Sequence, residues 1–442
     1  MYRFIVIGIT DNPQPWFSPE VLEIIQKGRV FSGGKRHHEI VAPLLPAGAK
    51  WIDITVPLEK VIEQYRSLSP APVREGSFSA SRSDNTPLPN RGGVGGEAFV
   101  VFASGDPLFF GFANTIKRMM PEAEIQVFPT FNSLQMLAHR LLMPYHDMRI
   151  VSLTGRPWQE FDRALIERAP KIGVLTDKEH TPAAIAQRML EYGYTNYVMH
   201  VGEHLGNPER EKVTTLTLEE TTEKVFEMPN CVILDIPPTL PVKEGSVTFE
   251  NERFGIHDNQ FALLDGREKM ITKMPIRLLT LQALDLPRRH VLWDIGACTG
   301  SVSIEARLLF PHLHIEAFEI RPECEAIIRE NARRFGALGV EIHIGDFLST
   351  PFPSREGVGL PDAVFIGGHG GKLKEIMAKV EKILAPGGVI VMNSVKAPLV
   401  KTDSHQLWDE ACAELGLQQE PPTRILLDDH HPIEILKARK LS

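Results

Sequence analysis

Apolar runs of strand length alternate with segments of helical period along most of the chain. The first half contains runs such as RFIVIGI and AFVVFAS, and the second half contains HVLWDIG, HIEAFEI and DAVFIGG. Continuous apolar runs of this kind are typical of parallel strands that helices cover on both faces. The pattern therefore predicts an α/β protein with largely parallel sheets. The last segment, TRILLDDHHPIEILKARK, predicts two antiparallel strands about a tight bend.

Two interruptions divide the alternation. Residues 69–97 are rich in Pro, Gly and Ser and poor in aliphatic side chains, which predicts a flexible surface insertion. The stretch PPTLPVKEGS opens a predicted linker over residues 237–253, and the alternation restarts after it. A chain of 442 residues is long for a single core. Because no internal repeat is visible, we predict two different domains, over residues 1–236 and 254–442.

Composition and charge narrow the classes of function. A net charge of −8 argues against a protein that binds duplex nucleic acid, which needs a basic surface. The four cysteines are scattered without a CxxC pair, so neither a disulfide framework nor a zinc site is expected, and no other metal site is expected either. No apolar run approaches the roughly 18 residues of a membrane span. The apolar run near the N-terminus is too short for a signal peptide, so we expect a cytoplasmic protein.

The stretch VLWDIGACTGSVSIEA predicts a strand, a glycine turn and a helix. Asp294 closes the strand, and glycines in the turn allow a backbone to approach a ligand at the N-terminus of a helix. A turn of this kind is also common without a ligand. The candidate ligand-binding residues of the turn are Gly296, Ala297, Cys298, Thr299 and Gly300.

Two further strand ends supply candidate nucleoside contacts. Glu319 lies 25 residues after Asp294 at the end of the second strand, where a carboxylate can accept hydrogen bonds from ribose hydroxyls. Gly345, Asp346 and Phe347 end the third strand, where an adenine fits. A nicotinamide dinucleotide in an oxidoreductase is the alternative, but the dinucleotide pattern G-x-G-x-x-G is missing.

Together with the later LAPGGVIVM, these residues resemble the class I S-adenosylmethionine-dependent methyltransferases over about residues 254–440. The resemblance implies a Rossmann-like domain and S-adenosylmethionine as the cofactor. The family usually has glycine where Cys298 stands, so the turn is expected to be shifted or the cofactor more weakly bound. A nucleophilic role for Cys298 is less favoured than a small thiol packed in a turn.

The stretches PDAVFIGGHGGKL and GIHDNQF…MITKMPIRLLTLQALDL resemble the precorrin methyltransferases that also decarboxylate, from cobalamin biosynthesis. In that family a Thr-Lys pair, here Thr272 and Lys273, helps to close the cofactor site. The resemblance implies that Lys273, Gly368 and Gly370 contact the substrate. His369 is the candidate catalytic residue, with an ordinary solvated loop residue as the alternative.

The first half carries a second resemblance. FVVFASGDPLFFGFANTI and FPTFNSLQMLAHRLLMPYHDMRIVSLTGR resemble the tetrapyrrole methylase family, a two-lobed α/β fold that binds the same cofactor. Gly8, Gly105, Asp106 and Ser133 are the implied cofactor contacts. The family opens with Gly-x-Gly-Pro-Gly, whereas this chain has GITDNPQP and keeps only Gly8. A degenerate first half that only binds substrate or holds a dimer is therefore the alternative.

The stretch SGGKRHHEIV brings Lys35, Arg36, His37 and His38 together after the second strand. Four potential cations at one turn would bind the carboxylates of an acidic substrate. A solvated helix start is the alternative.

The order of the two halves is that of fused decarboxylating precorrin methyltransferases. The resemblance implies methylation at C5 and C15, loss of CO2 from the ring C acetate, a precorrin as partner and a homo-oligomer. C15 methylation and decarboxylation are assigned to the second domain, and C5 methylation to the first. A non-catalytic tetrapyrrole-binding protein with decayed cofactor turns remains the other alternative, whereas an RNA methylase is disfavoured by the acidic charge.

Overall fold

The structure is a computed structural model that describes residues 2–68, 98–237, 247, 253–267, 270–352, 358–395, 404–426 and 433–441. The predicted insertion over 69–97 lies outside the described residues, as does most of the predicted linker. None of the helices in the described ranges is long and apolar enough to cross a membrane.

The first lobe is built on a five-stranded parallel sheet with the order β3-β2-β4-β1-β5. Its apolar strands, such as FVVFAS, are almost wholly buried, which is why the sequence pattern located them. The elements are β1 Arg3–Ile9, α1 Pro19–Lys27, β2 Val30–Gly33, α2 Lys35–Val41, β3 Lys50–Asp53, α3 Leu58–Ser67, β4 Phe99–Ser104, α4 Phe112–Met119 and β5 Glu124–Phe128.

The second lobe has a five-stranded sheet with the order β6-β7-β10-β8-β9, in which only β6 and β7 are parallel. Largely parallel pairing was therefore a wrong prediction for this sheet. The elements are α5 Ser133–Arg140, β6 Arg149–Ser152, α6 Gln159–Ile166, β7 Lys171–Leu175, α7 Pro182–Glu191, β8 Val198–Glu203, β9 Lys212–Thr217, α8 Leu218–Thr222 and β10 Asn230–Asp235.

The C-terminal domain has an eight-stranded sheet with the order β13-β12-β11-β14-β15-β18-β16, and β17 pairs with β18. The strands from β13 to β15 are parallel, and β18 runs antiparallel to β15 and β17, as the tail pattern predicts. The elements are α9 Met274–Ala283, β11 Val291–Ile295, α10 Ser301–Leu309, β12 His314–Glu319, α11 Glu323–Phe335, β13 Val340–Ile344, β14 Ala363–Ile366, α12 Leu373–Glu381, β15 Val389–Val395, α13 Ser404–Leu415, β16 Gln418–Gln419, β17 Thr423–Ile425 and β18 Ile433–Arg439.

A continuous apolar core joins the second lobe to the C-terminal domain. Buried side chains of α6, α7 and β8 belong to the same cluster as Ile304, Leu308 and Leu338 of the C-terminal domain. The hydroxyl of Tyr194 crosses this interface and donates to the Gly336 carbonyl at 2.8 Å. Packing of this kind holds two domains in a fixed arrangement.

Candidate functional site

The glycine turn after β11 is tightly packed against neighbouring backbone. Gly296 has φ +81°, and a Cβ on it would lie 2.7 Å from the amide nitrogen of Gly368. Gly300 has φ +73°, and a Cβ there would lie 2.9 Å from a methyl group of Ile328. Only glycine satisfies both constraints, so the turn is held beside Gly368 at the carboxyl end of β14.

Cys298 adopts a left-handed backbone conformation with φ +51°. Its N–H donates to Glu319 Oε2 at 2.9 Å, and its side chain packs with Leu264 and Cys324. The turn therefore keeps at Cys298 the kind of conformation that glycine adopts readily. Burial, reinforced by the Glu319 charge, raises the pKa of the Cys298 thiol. A neutral buried thiol fits packing better than nucleophilic chemistry.

Glu319 ends β12 and is 2% exposed. Its Oε1 accepts from the backbone N–H of Arg321 at 3.0 Å and from the Arg321 guanidinium at 2.9 Å. With the Cys298 amide on Oε2, the carboxylate accepts three hydrogen bonds. A carboxylate has about four acceptor positions, so capacity for a further hydroxyl donor remains.

Asp294 is a buried carboxyl group beside the same turn, and it was named in the sequence pattern without being chosen as a site residue. Its Oδ2 accepts from Ser303 Oγ at 2.6 Å, while its Oδ1 has no hydrogen-bond partner within the described part of the chain. Burial, with a contribution from the Glu319 charge, raises the pKa of Asp294 to about 6. A buried acceptor without a donor is suited to a ligand that supplies one.

The residues after β13, where the sequence predicts the adenine contacts, are engaged in contacts within the protein. Asp346 forms an ion pair with Lys372 Nζ at 3.0 Å, and the Leu348 amide and Lys372 hold its pKa below the usual range. Gly345 has φ +142°. Phe347 is 7% exposed, and its ring packs against Trp293 and Phe318 in the core.

Thr272 and Lys273 lie at the start of α9. The Thr272 carbonyl accepts from the guanidinium of Arg277 at 2.7 Å, and Lys273 Nζ lies 3.7 Å from Asp258. Arg277 is fully buried and also donates to Glu305 at 2.5 Å. Arg277 carries no recognisable signal in the sequence, because its role depends on contacts with α10 and with the segment before α9.

His369 lies in the loop after β14. Its Nδ1 accepts from the Gly371 amide at 3.1 Å, and its Nε2 lies 3.2 Å from Ser404 Oγ. Burial lowers the pKa of His369, which favours the neutral ring. Gly368 and Gly370 have open space where a Cβ would stand, so one side of this loop is free of neighbours within the described residues.

A cavity of about 520 Å³ lies between the two lobes of the first half. Of the eight candidate residues in this half, the structure places Gly105, Ser133, Arg36 and His37 on its lining. Gly8 instead packs against backbone, since a Cβ on it would lie 2.0 Å from the Gly105 carbonyl oxygen. The cavity lining does not include the other three, Asp106, Lys35 and His38.

The expected cluster of four cations is not present as predicted. Lys35 is exposed, and burial together with the Arg36 charge lowers the pKa of His37 to about 4, so that ring is neutral near pH 7. His38 stacks on the ring of Trp51. Of these four residues, Arg36 is the one that brings a positive charge to the cavity lining, and it is already paired with Asp11 at 2.8 Å.

Asp11 also connects the two lobes. Its Oδ2 lies 2.8 Å from His204 Nδ1, although the two residues are 193 positions apart, and His204 Nε2 lies 3.2 Å from Glu227. Asp11 belongs to GITDNPQP, the stretch that departs from the glycine-rich loop of the resembled family. The altered stretch therefore links the two lobes, because Asp11 contacts His204 of the second lobe and Arg36 of the first.

Two protein-family models match the chain. The model described as Tetrapyrrole (Corrin/Porphyrin) Methylases matches residues 3–222, and the model described as Precorrin methyltransferase domain matches residues 265–415. The two matches do not overlap, and each falls within one of the two predicted domains.

Curated relatives match most of the chain or a part within one of its halves. A decarboxylating precorrin-6Y C(5,15)-methyltransferase from Sinorhizobium sp is 29% identical over 408 residues, which are 90% of this chain and 87% of that protein. A decarboxylating cobalt-precorrin-6B C(15)-methyltransferase from Salmonella typhimurium is 39% identical over 132 residues, 30% of this chain and 66% of that protein. A cobalt-precorrin-7 C(5)-methyltransferase from the same organism is 25% identical over 230 residues, 52% of this chain and 98% of that protein.

Proposed function

Since the chain joins a member of the tetrapyrrole methylase family to a precorrin methyltransferase domain, we propose that it methylates a precorrin at C5 and C15 and decarboxylates the ring C acetate. The observation that carries the proposal is the group of residues at the carboxyl ends of β11 and β12, the edge of a parallel sheet where ligands usually bind in a crevice. There the glycine turn lies beside the buried Glu319 carboxylate and beside Asp294, whose Oδ1 has no hydrogen-bond partner among the residues that the structure describes. The Sinorhizobium relative, which matches 90% of this chain, is named for the same two positions.

The residues of this crevice fit S-adenosylmethionine. Glu319 has acceptor capacity for ribose hydroxyls, and Asp294 Oδ1 is suited to a cationic or N–H donor. We propose that the ligand lies against the backbone of Gly296, Ala297, Thr299 and Gly300. We also propose that it is bordered by the backbone of Gly345 and Asp346, which follow β13. When bound, the cofactor supplies an electrophilic methyl group on sulfur. The protein then contributes alignment and exclusion of water.

We assign C15 methylation and decarboxylation to the C-terminal domain, which we place at residues 254–442. C5 methylation is assigned to residues 1–236. The Salmonella relatives that match the two halves are named for these separate positions, which supports the division. In the first domain, Gly105 and Ser133 on the cavity lining are proposed cofactor contacts.

Decarboxylation leaves an electron pair that a conjugated macrocycle can accept. The protein then has to hold the acetate carboxylate away from cations that would stabilise it. His369 suits this requirement, because burial favours its neutral form and the neighbouring glycine turn leaves open space. We propose that His369, Gly368 and Gly370 border the macrocycle in this way.

Mass spectrometry of a precorrin-6-type substrate incubated with the protein and S-adenosylmethionine tests the proposal. Two added methyl groups with loss of one CO2 are expected. Titration with S-adenosylhomocysteine and with NADH, followed by tryptophan fluorescence, distinguishes the oxidoreductase alternative. Binding of NADH alone, or a macrocycle bound without any gain in mass, would overturn the proposal.

The division between domains is tested with Gly300→Leu. A side chain at this left-handed position meets Ile328, so C15 methylation should be lost while C5 methylation remains measurable. Gly359→Ala is the matched control, because a Cβ at Gly359 has open space among the described residues. Loss of both methylations, or of neither, would contradict the division.

We also propose that the chain acts in the cytoplasm as a homo-oligomer, with no nucleic acid or membrane partner. The four cysteines are free and buried, which is compatible with a reducing compartment. Light scattering coupled to gel filtration measures the oligomeric state, and a monomer at working concentration would contradict that part.

A further inference from the structure

The second-lobe side of the cavity carries a short polar row at the end of β6. Ser152, Thr154 and Arg156 all line the cavity, whereas much of the rest of the lining is apolar. The apolar part of the lining includes Phe102, Phe109, Phe112 and Met136. A polar row beside apolar walls is the usual arrangement of a pocket that orients an organic ligand by a few polar contacts.

Arg156 has no anionic partner among the residues that the structure describes. Its guanidinium lies 4.9 Å from the centre of the Phe110 ring, a contact between loops of the two lobes. By contrast, Arg36, the other arginine on the lining, is paired with Asp11 at 2.8 Å. The five N–H donors of Arg156 are therefore available to an anionic ligand that enters the cavity.

Ser152 provides a second and independent observation. It is 6% exposed, and its Oγ is buried without a hydrogen-bond partner in the described part of the chain. An unpaired buried hydroxyl costs stability unless a ligand bonds to it. The hydroxyl of Thr154 is different, because it donates to the Thr176 carbonyl at 3.1 Å.

We propose that Arg156 and Ser152 bind a side-chain carboxylate of the acidic tetrapyrrole and so set the orientation of the macrocycle in the N-terminal cavity. The inference rests on the proposed function and adds the specificity-determining contact. Arginine suits this task because its planar guanidinium binds a carboxylate through two parallel hydrogen bonds. Stacking on Phe110 limits the rotation of the guanidinium and prepares it for that geometry.

The cofactor also carries a carboxylate, in its amino-acid portion, so the test has to separate the two sources. Uroporphyrin, a soluble tetrapyrrole with carboxylate side chains, serves as the macrocycle probe and is followed by its fluorescence. S-adenosylhomocysteine serves as the cofactor probe and is followed by calorimetry. Both probes are titrated into the full-length wild type and into Arg156→Gln, Arg156→Lys, Ser152→Ala and Arg118→Gln.

Arg156→Gln should weaken uroporphyrin binding about tenfold or more and leave the affinity for S-adenosylhomocysteine within about twofold. The uroporphyrin affinity of Arg156→Lys should lie between those of wild type and Arg156→Gln. Lysine keeps the positive charge but cannot form two parallel hydrogen bonds with a carboxylate. Ser152→Ala should weaken uroporphyrin binding without lowering the melting temperature, an outcome that a structural role for the hydroxyl would not give. Arg118, an exposed residue of α4 outside the cavity lining, is the control and should change neither affinity.

Equal uroporphyrin affinity for wild type, Arg156→Gln and Arg118→Gln overturns the inference, and so does a tenfold loss of S-adenosylhomocysteine affinity in its place. The methylation assay separates this result from the proposed function. If wild type methylates the precorrin and Arg156→Gln leaves KM for C5 methylation unchanged, the inference fails alone. If wild type does not methylate but Arg156→Gln still loses the macrocycle, the proposed function fails and the carboxylate site stands.

Discussion

The backbone N–H of Cys298 donates a hydrogen bond to the carboxylate of Glu319 at 2.9 Å. The bond joins the turn after β11 to the end of β12, and it depends on the left-handed conformation of Cys298. Glycine was expected at this position from the family resemblance. Cysteine therefore keeps the backbone geometry, and it adds a side chain that packs on Leu264 and Cys324.

Replacing Cys298 by glycine should leave the free energy of unfolding within about 1 kcal/mol of wild type. Relief of the left-handed backbone contributes about 1–2 kcal/mol, and loss of the buried thiol offsets a similar amount. Affinity for S-adenosylhomocysteine should change little. Urea unfolding and calorimetric titration measure the two quantities.

Cys298→Ala separates the two contributions, because alanine loses the thiol packing and keeps the backbone strain. We expect Cys298→Ala to be less stable than Cys298→Gly. The opposite order would show that the side chain, and not the backbone conformation, determines the stability of the turn.

Replacing Glu319 by glutamine should remove cofactor binding from the C-terminal domain. The amide has one acceptor atom for the donors that the carboxylate serves, and it lacks the charge that strengthens those bonds. C15 methylation should fall at least tenfold, and C5 methylation should persist. Glu325→Gln is the control, since Glu325 is paired with Arg329 on the surface of α11. An equal loss of both methylations would argue against a local role for Glu319.

The parallel sheets of the first lobe and of the C-terminal domain were predictable because buried parallel strands are continuous apolar runs. Strand β9, KVTTLT, was missed because only Leu216 in it is buried, so the strand is not a continuous apolar run. The antiparallel direction of β8 and β10 was also missed, since an apolar run contains no information on the direction of its neighbour.

The glycine turn and Glu319 were visible in the sequence because their spacing along consecutive strands is regular. Pairs that depend on tertiary structure were not. Asp11 and His204 are 193 residues apart in the sequence and form a contact in the fold. Lys372, in a different loop from Asp346, forms an ion pair with it. Arg156 carried no local signal, because its importance comes from the absence of a partner among the described residues.

The pKa of Asp294 predicts a pH dependence of stability. Burial raises this pKa from 3.8 to about 6, so the folded state holds the proton more tightly than the unfolded state. The protonated Asp294 therefore contributes its full share to the free energy of unfolding below about pH 4, and this share is lost as the pH rises through about 6. It amounts to about 3 kcal/mol. Subtracting the unfolding free energy of Asp294→Asn from that of wild type at each pH isolates it. The exposed Asp265→Asn serves as control, and a flat difference curve would contradict the prediction.

Removing Asp162 should destabilise both domains together. The Asp162 carboxylate is 2% exposed and accepts two hydrogen bonds from Arg188, at 2.7 and 2.6 Å. It also faces the C-terminal domain, since a Cβ on Gly339 would lie 3.1 Å from its Oδ2. Asp162→Ala leaves a guanidinium without its partner in the interface, at a cost of about 3–5 kcal/mol. Because the apolar core is continuous across the interface, calorimetry should show one transition that moves to lower temperature.

The double replacement Asp162→Leu with Arg188→Met should recover much of the loss, since no unpaired charge remains. Two separate transitions, with only the first shifted in Asp162→Ala, would contradict the coupling between domains.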